Sequence, residues 1–282
     1  MRAEQVTGSV TYHGEGPVWS PAWGGLRFVD MLAGDVLTLA GDGSLDRRRV
    51  GTVAAVVRPR RGGGAVVGVQ RGFVLEEPDG TLTTLDELWT DDGVRMNEGG
   101  CDPDGRFYCG SMASDQATGA GTVYRLDPDR SVHVVLEDVT VSNGLEWSPD
   151  GTLAYYNDTP THAVSVFDYD LEAGLSGRRR FVEVTHAGEL GSTDGLTVDA
   201  EGGVWTALFG SGVVHRYGPD GVLDAVVEVA ARQVTACTFG GPDLDLLFIT
   251  TSDEGRSGGP LAGSVFVAET GARGTLPLPF LG

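Results

Sequence analysis

No lysine occurs among the 282 residues: all 20 basic side chains are arginine, set against 40 Asp and Glu for a formal net charge of −20. Lysine Schiff-base chemistry is therefore excluded, and so is a Walker-type phosphate loop, which ends in Gly-Lys-Ser/Thr. A field of that sign repels nucleic acid and anionic membranes, so a neutral small molecule or a cation is the compatible partner. Cysteine is scarce. Cys101, Cys109 and Cys237 form an odd set with no Cys-x-x-Cys pair, so neither a disulfide framework nor a thiolate zinc site is expected. Nor do His13, His133, His162, His186 and His215 include a metal-spaced pair. No segment approaches the roughly 18 consecutive apolar residues of a membrane span, and the first eight residues lack the apolar stretch of a signal peptide. These absences predict a soluble, cytoplasmic, reducing setting with buried free thiols. A pairing of Cys101 with Cys109 across the turn they bracket stays open.

Glycine is what the chain has in excess: 44 glycines and 13 prolines are about a fifth of the residues, so tight turns must be frequent. A prior of about 150 residues per domain would suggest two domains, but internal repetition overrides it. A Pro-Asp-Gly-like turn followed by a short apolar run recurs at Gly25-Leu-Arg-Phe-Val-Asp30, Gly64-Ala-Val-Val-Gly-Val69, Gly105-Arg-Phe-Tyr-Cys-Gly110, Gly151-Thr-Leu-Ala-Tyr-Tyr156, Gly202-Gly-Val-Trp-Thr-Ala207 and Asp245-Leu-Leu-Phe-Ile-Thr250. A second run follows each of them, as in Val123-Tyr-Arg-Leu126 and Val213-Val-His-Arg-Tyr217. The runs are short, rich in Val, Tyr, Phe, Leu and Thr, and bounded by turn residues, which predicts strands. Six units of about 47 residues predict an all-β, six-bladed β-propeller occupying residues 1–282 as a single domain.

A polar position repeats with the blades. Six residues before the turn-opening position stand Glu15, Asn97, Asn143 and Asp194, while the other two blades place apolar or small residues there, near Val57 and Ala236. Radial repetition brings equivalent positions together, so these four oxygen-bearing side chains are expected to converge on the axis. Singly, such residues cap turns. Together they make a hard, all-oxygen set of formal charge −2, suited to one divalent cation such as Ca²⁺, Mn²⁺ or Mg²⁺, with Zn²⁺ and Fe²⁺ also admitted. Without a cation, two close carboxylates resist joint ionisation. Among the histidines, His13 and His162 are the two to watch, since they flank Glu15 and the Asn157-Asp158 strand end.

The segments Gly14-Glu-Gly-Pro-Val-Trp19, Arg95-Met-Asn-Glu-Gly-Gly-Cys-Asp-Pro-Asp-Gly-Arg106, Ser142-Asn-Gly-Leu-Glu-Trp-Ser-Pro-Asp-Gly151 and Asp194-Gly-Leu-Thr-Val-Asp199 resemble the motifs of the senescence marker protein/gluconolactonase/regucalcin (luciferin-regenerating-enzyme-like) family. The resemblance implies a propeller with one divalent metal that hydrolyses sugar lactones. It implies Glu15, Asn143 and Asp194 as metal ligands, Asp194 as general base, and Arg95, Asn97 and Asp115 as substrate contacts. Asp115 departs from the pattern, since regucalcin-type members carry Glu there, one methylene longer. The expected partner is a small neutral sugar lactone, with no nucleic acid and no membrane, and the expected state is a monomer, with a dimer the alternative. Two other function classes remain open: organophosphate or aryl-ester hydrolysis on the same metal site, and a metal-binding propeller without catalysis.

Overall fold

Several of the recurring turns are built by their own aspartates. In Asp102-Pro-Asp-Gly-Arg106, Asp102 Oδ1 accepts hydrogen bonds from the Asp104 and Arg106 amides at 3.0 and 2.8 Å, and Arg106 Nε donates to Asp102 Oδ2 at 2.6 Å. Gly105 takes a positive φ of 73°, a conformation open to glycine at little cost. The same arrangement recurs at Asp199, which accepts from the Glu201 and Gly203 amides, Trp205 Nε1 and Arg216 Nε. Each of these aspartates is buried, yet each is fully engaged, so the charge is tolerated.

Between the turns the apolar runs pair as antiparallel strands. The computed structural model describes residues 1–184 and 191–282, so His186 lies outside the described residues. It contains six four-stranded sheets, the six blades of a β-propeller. Their inner strands are Gly14–Ser20, Ala54–Pro59, Val94–Cys101, Ser142–Trp147, Ser192–Val198 and Val234–Gly240. The runs after each turn are the second strands, for instance Phe107–Ala113 and Leu153–Asp158. Apolar side chains fill the space between blades: Tyr108, Trp147, Tyr156 and Phe167 pack in one such layer, and Trp205, Phe239, Ile249 and Phe266 in another. Cys109 lies opposite Gly99 and Cys101 opposite Phe107, so the two thiols are not cross-strand partners; all three cysteines are free and buried.

Two features come from the chain ends. Glu4–Gln5 pairs with Phe266–Glu269, so the sixth blade takes its outermost strand from the N-terminus and closes the ring. The C-terminal tail runs across one end of the propeller. It bridges to the fifth blade at Asp199–Gly274 and to the second at Arg60–Phe280, and the Leu281 amide donates to the Gly105 carbonyl of the third. Phe280 is fully buried.

Candidate functional site

Every inner strand carries a register irregularity at the same place: between Glu15 and Val18, Ala54 and Val56, Met96 and Gly99, Ser142 and Leu145, Thr193 and Leu196, and Val234 and Ala236. A β-bulge frees residues from the ladder and re-aims their side chains. Asn97, Asn143 and Asp194 occupy these breaks, and Glu15 borders the first. The glycines that follow have a steric cause. A Cβ on Gly144 would collide with the Leu196 backbone, and one on Gly195 with Ala236, because neighbouring inner strands crowd together around the axis.

The bulges open onto a cavity of about 290 Å³ at the mouth of the axis, and Glu15, Arg95, Asn97, Asn143 and Asp194 all line it. His13 lines it as well; His162 does not. Asp115 is exposed, and its Oδ1 caps the Ala117 amide at 3.0 Å, so the polar loop sends Gln116, at a φ of 56°, to the cavity wall instead. The shorter side chain is engaged by its own turn.

Hydrogen bonds divide the four converging residues into two kinds. Asn97 Oδ1 accepts from Arg95 Nη1 at 2.6 Å while its Nδ2 donates to the Ser142 carbonyl at 2.8 Å, so both ends of this amide are engaged. Asn143 differs. Its Nδ2 donates to Thr159 Oγ1 at 3.0 Å, and Thr159 in turn donates to the Thr193 carbonyl at 2.8 Å, but Asn143 Oδ1 is buried with no partner among the described residues. Asp194 is anchored through its backbone carbonyl, which accepts from Asn157 Nδ2 at 2.6 Å.

Charge is only partly compensated at this end: Arg95 opposes the shifts of both carboxyls without overcoming them. Burial, then Asp194, then Glu98 push the Glu15 carboxyl well above the usual range, and burial followed by Glu98 does the same to Asp194. A buried orphan acceptor and two buried carboxylates that repel one another are what a hard cation relieves. Glu15, Asn143 and Asp194 therefore fit a divalent cation, whereas Asn97 is already bonded at both ends.

Glu98 and Arg58 carried no sequence expectation. Glu98 shares the bulge with Asn97 and turns toward the opposite side of the axis, where Arg58 Nη2 lies 3.5 Å from Glu98 Oε1. The second blade therefore does bring a polar group to the axis, one residue beyond Val57. With Glu146 these residues line an inner cavity of about 140 Å³, covered by Thr275, Leu276, Pro277 and Leu278 of the C-terminal tail. Their signal was adjacency to the repeating position, not the position itself.

Residues 13–253 match the family model for the SMP-30/gluconolactonase/LRE-like region. The chain belongs to this family. A 6-deoxy-6-sulfogluconolactonase of Pseudomonas putida is 35% identical over 277 residues, covering 95% of each chain. A pentonolactonase of Haloferax volcanii is 35% identical over 289 residues, covering 97% of this chain and 96% of its own. The crystal structure of a calcium-binding protein, regucalcin, from Agrobacterium tumefaciens superposes with a TM-score of 0.91 at 27% identity, covering 99% of this chain and 97% of the other. No helix among the described residues is long and apolar enough to cross a membrane.

Proposed function

We propose that this chain is a divalent-cation-dependent sugar lactonase that opens a neutral aldonolactone to its aldonic acid. The observation that carries the proposal is the buried Asn143 Oδ1, without a partner among the described residues, in the cavity that the Glu15 and Asp194 carboxylates also line. Relatives named as a sulfogluconolactonase and a pentonolactonase support a sugar lactone as the substrate class.

When bound by Glu15, Asn143 and Asp194, a divalent cation supplies Lewis-acid stabilisation for the charge that develops on the lactone carbonyl oxygen. Arg95 is a donor fork for substrate oxygens, steadied by Asn97 and the Met96 carbonyl. Asn157 and Thr159 fix the backbone and the amide that hold Asp194 and Asn143 in place. Asp194 takes a proton from the attacking water as its oxygen bonds to the carbonyl carbon, and that proton returns to the ring oxygen as the carbon–oxygen ring bond breaks. An activated ring ester needs only a modest base, and a carboxylate suffices. The −20 charge of the chain then disfavours rebinding of the anionic product; if added salt leaves product inhibition unchanged, that part fails.

A panel of aldonolactones assayed with and without chelator tests the proposal. Turnover that chelator abolishes and added cation restores is the expected result. Hydrolysis confined to phosphotriesters or aryl esters, or no turnover at all with cation bound, would move the protein to one of the other two classes.

A further inference from the structure

Glu254 lines the mouth of the site, yet neither the repeat nor the motifs point to it. It opens the short turn Glu254–Arg256 that follows the second strand of the sixth blade, Leu246–Thr251. The turn is tied down. The Asp253 amide donates to the Tyr12 carbonyl at 2.8 Å, the Glu254 amide donates to Ser252 Oγ at 2.9 Å, and Gln233 Nε2 donates to the Glu254 carbonyl at 3.1 Å. On the side chain, Oε2 lies 3.3 Å from His13 Nδ1, and 48% of the side chain is exposed. One face of the carboxylate is thus held by the wall and the other is open to a ligand.

Its position in the ring gives that open face a meaning. Arg95 belongs to the third blade and Glu254 to the sixth, three blades apart and so on opposite walls of the mouth. The hydrogen bonds of Arg95 described in the structure all leave from Nη1, toward Asn97, Met96 and Met31, so Nη2 remains available. One wall therefore presents a donor-only cation and the other an acceptor-only anion. A ring bearing several hydroxyls satisfies both, because each hydroxyl donates and accepts. A ligand with an anionic substituent satisfies Arg95 but meets repulsion from Glu254. Asp115, the acidic residue of the polar loop, caps its own turn and leaves this acceptor role to the opposite wall.

We propose that Glu254 is a specificity-determining residue that accepts hydrogen bonds from the hydroxyls of a neutral lactone and turns away lactones carrying an anionic group. This rests on the lactonase function proposed above. The test compares Glu254→Gln with wild type on a neutral aldonolactone and on its 6-phosphate, with cation saturating. Because the contact is made before and during the reaction alike, KM for the neutral lactone is expected to rise about tenfold with kcat within threefold. The kcat/KM ratio of phosphorylated to neutral lactone is expected to rise at least tenfold. Asp253→Asn makes the same change of charge one residue away, at a side chain with no capping bond, and is the control for a long-range field. A Glu254→Gln enzyme whose KM and ratio match those of Asp253→Asn overturns the role of Glu254 alone. A wild-type enzyme that hydrolyses no aldonolactone overturns the lactonase function, and this role with it.

Discussion

The two ends of the axial channel are built from the same inner strands and differ in how charge is treated. At the open mouth, Glu15 and Asp194 are buried beside the Asn143 oxygen with no cationic side chain bonded to them among the described residues, Arg95 acting on them only at longer range. At the closed end, Glu98 faces Arg58, and the tail covers the cavity they share with Glu146. Buried charge is costly unless paired, so the two ends differ in kind: one gathers two carboxylates around an amide oxygen, and the other sets Glu98 against Arg58.

The largest expected effect breaks the open end. With cation saturating, Asp194→Asn should lower kcat/KM on the best lactone by about a thousandfold or more, through loss of the base and of a ligand together. A variant retaining most of its activity would remove Asp194 from the chemistry. Next comes the closed end. Arg58→Met strands Glu98 and should destabilise the fold by about 3–5 kcal/mol in urea unfolding. Loss of less than ~1 kcal/mol would show that the pair is not what compensates this end.

A third prediction sets the ends against each other without cation. In chelator, Glu15→Gln should raise the melting temperature, since it removes one of two repelling buried carboxylates, whereas Arg58→Met should lower it by stranding Glu98. Adding cation at about 100 times Kd should stabilise wild type by about 2.7 kcal/mol but have far less effect on Glu15→Gln. Equal responses of the two variants would erase the distinction between the ends. The smallest effect is a pH dependence. Burial pushes the Glu146 carboxyl up to about 7, with Arg58 opposing the shift. A folded-state value above the unfolded one gives stability that is complete below about pH 4.5 and lost as pH rises through about 7. For this half-buried group the change should be on the order of 1–2 kcal/mol. Glu146→Gln should flatten the stability profile between pH 5 and 8, measured by denaturant midpoints; an unchanged slope would assign it to other groups.

Much of this molecule is legible in its sequence because the repeat makes local signals additive. Turn aspartates bond amides two residues on, as Asp102, Asp150 and Asp199 do, and the second strand of each blade is a run of mostly apolar or β-branched residues, so six similar units announce six blades. Glu15, Asn97, Asn143 and Asp194 were legible for the same reason: one register, repeated. Asp115 was less so. The sequence places it in a polar loop near the mouth, but whether its carboxylate meets a ligand or the Ala117 amide depends on a rotation that no spacing encodes. Glu254 and Arg58 lie off the repeating position, and their roles come from being opposite or adjacent to it in space.

The sequence by itself determined the all-β repeat, the acidic and lysine-free surface, and the oxygen-donor residues that converge, since these follow from period, composition and symmetry. Only the tertiary structure decided which donors remain free. Asn97 and Asn143 are the same residue type at the same register, yet Arg95 takes the oxygen of one and Thr159 takes only the amino group of the other. That choice is made by neighbours distant in sequence. So are the ring closure by Glu4–Gln5 and the tail across the closed end, because hydrogen-bond partners are assigned by packing, and packing exists only once the blades have come together.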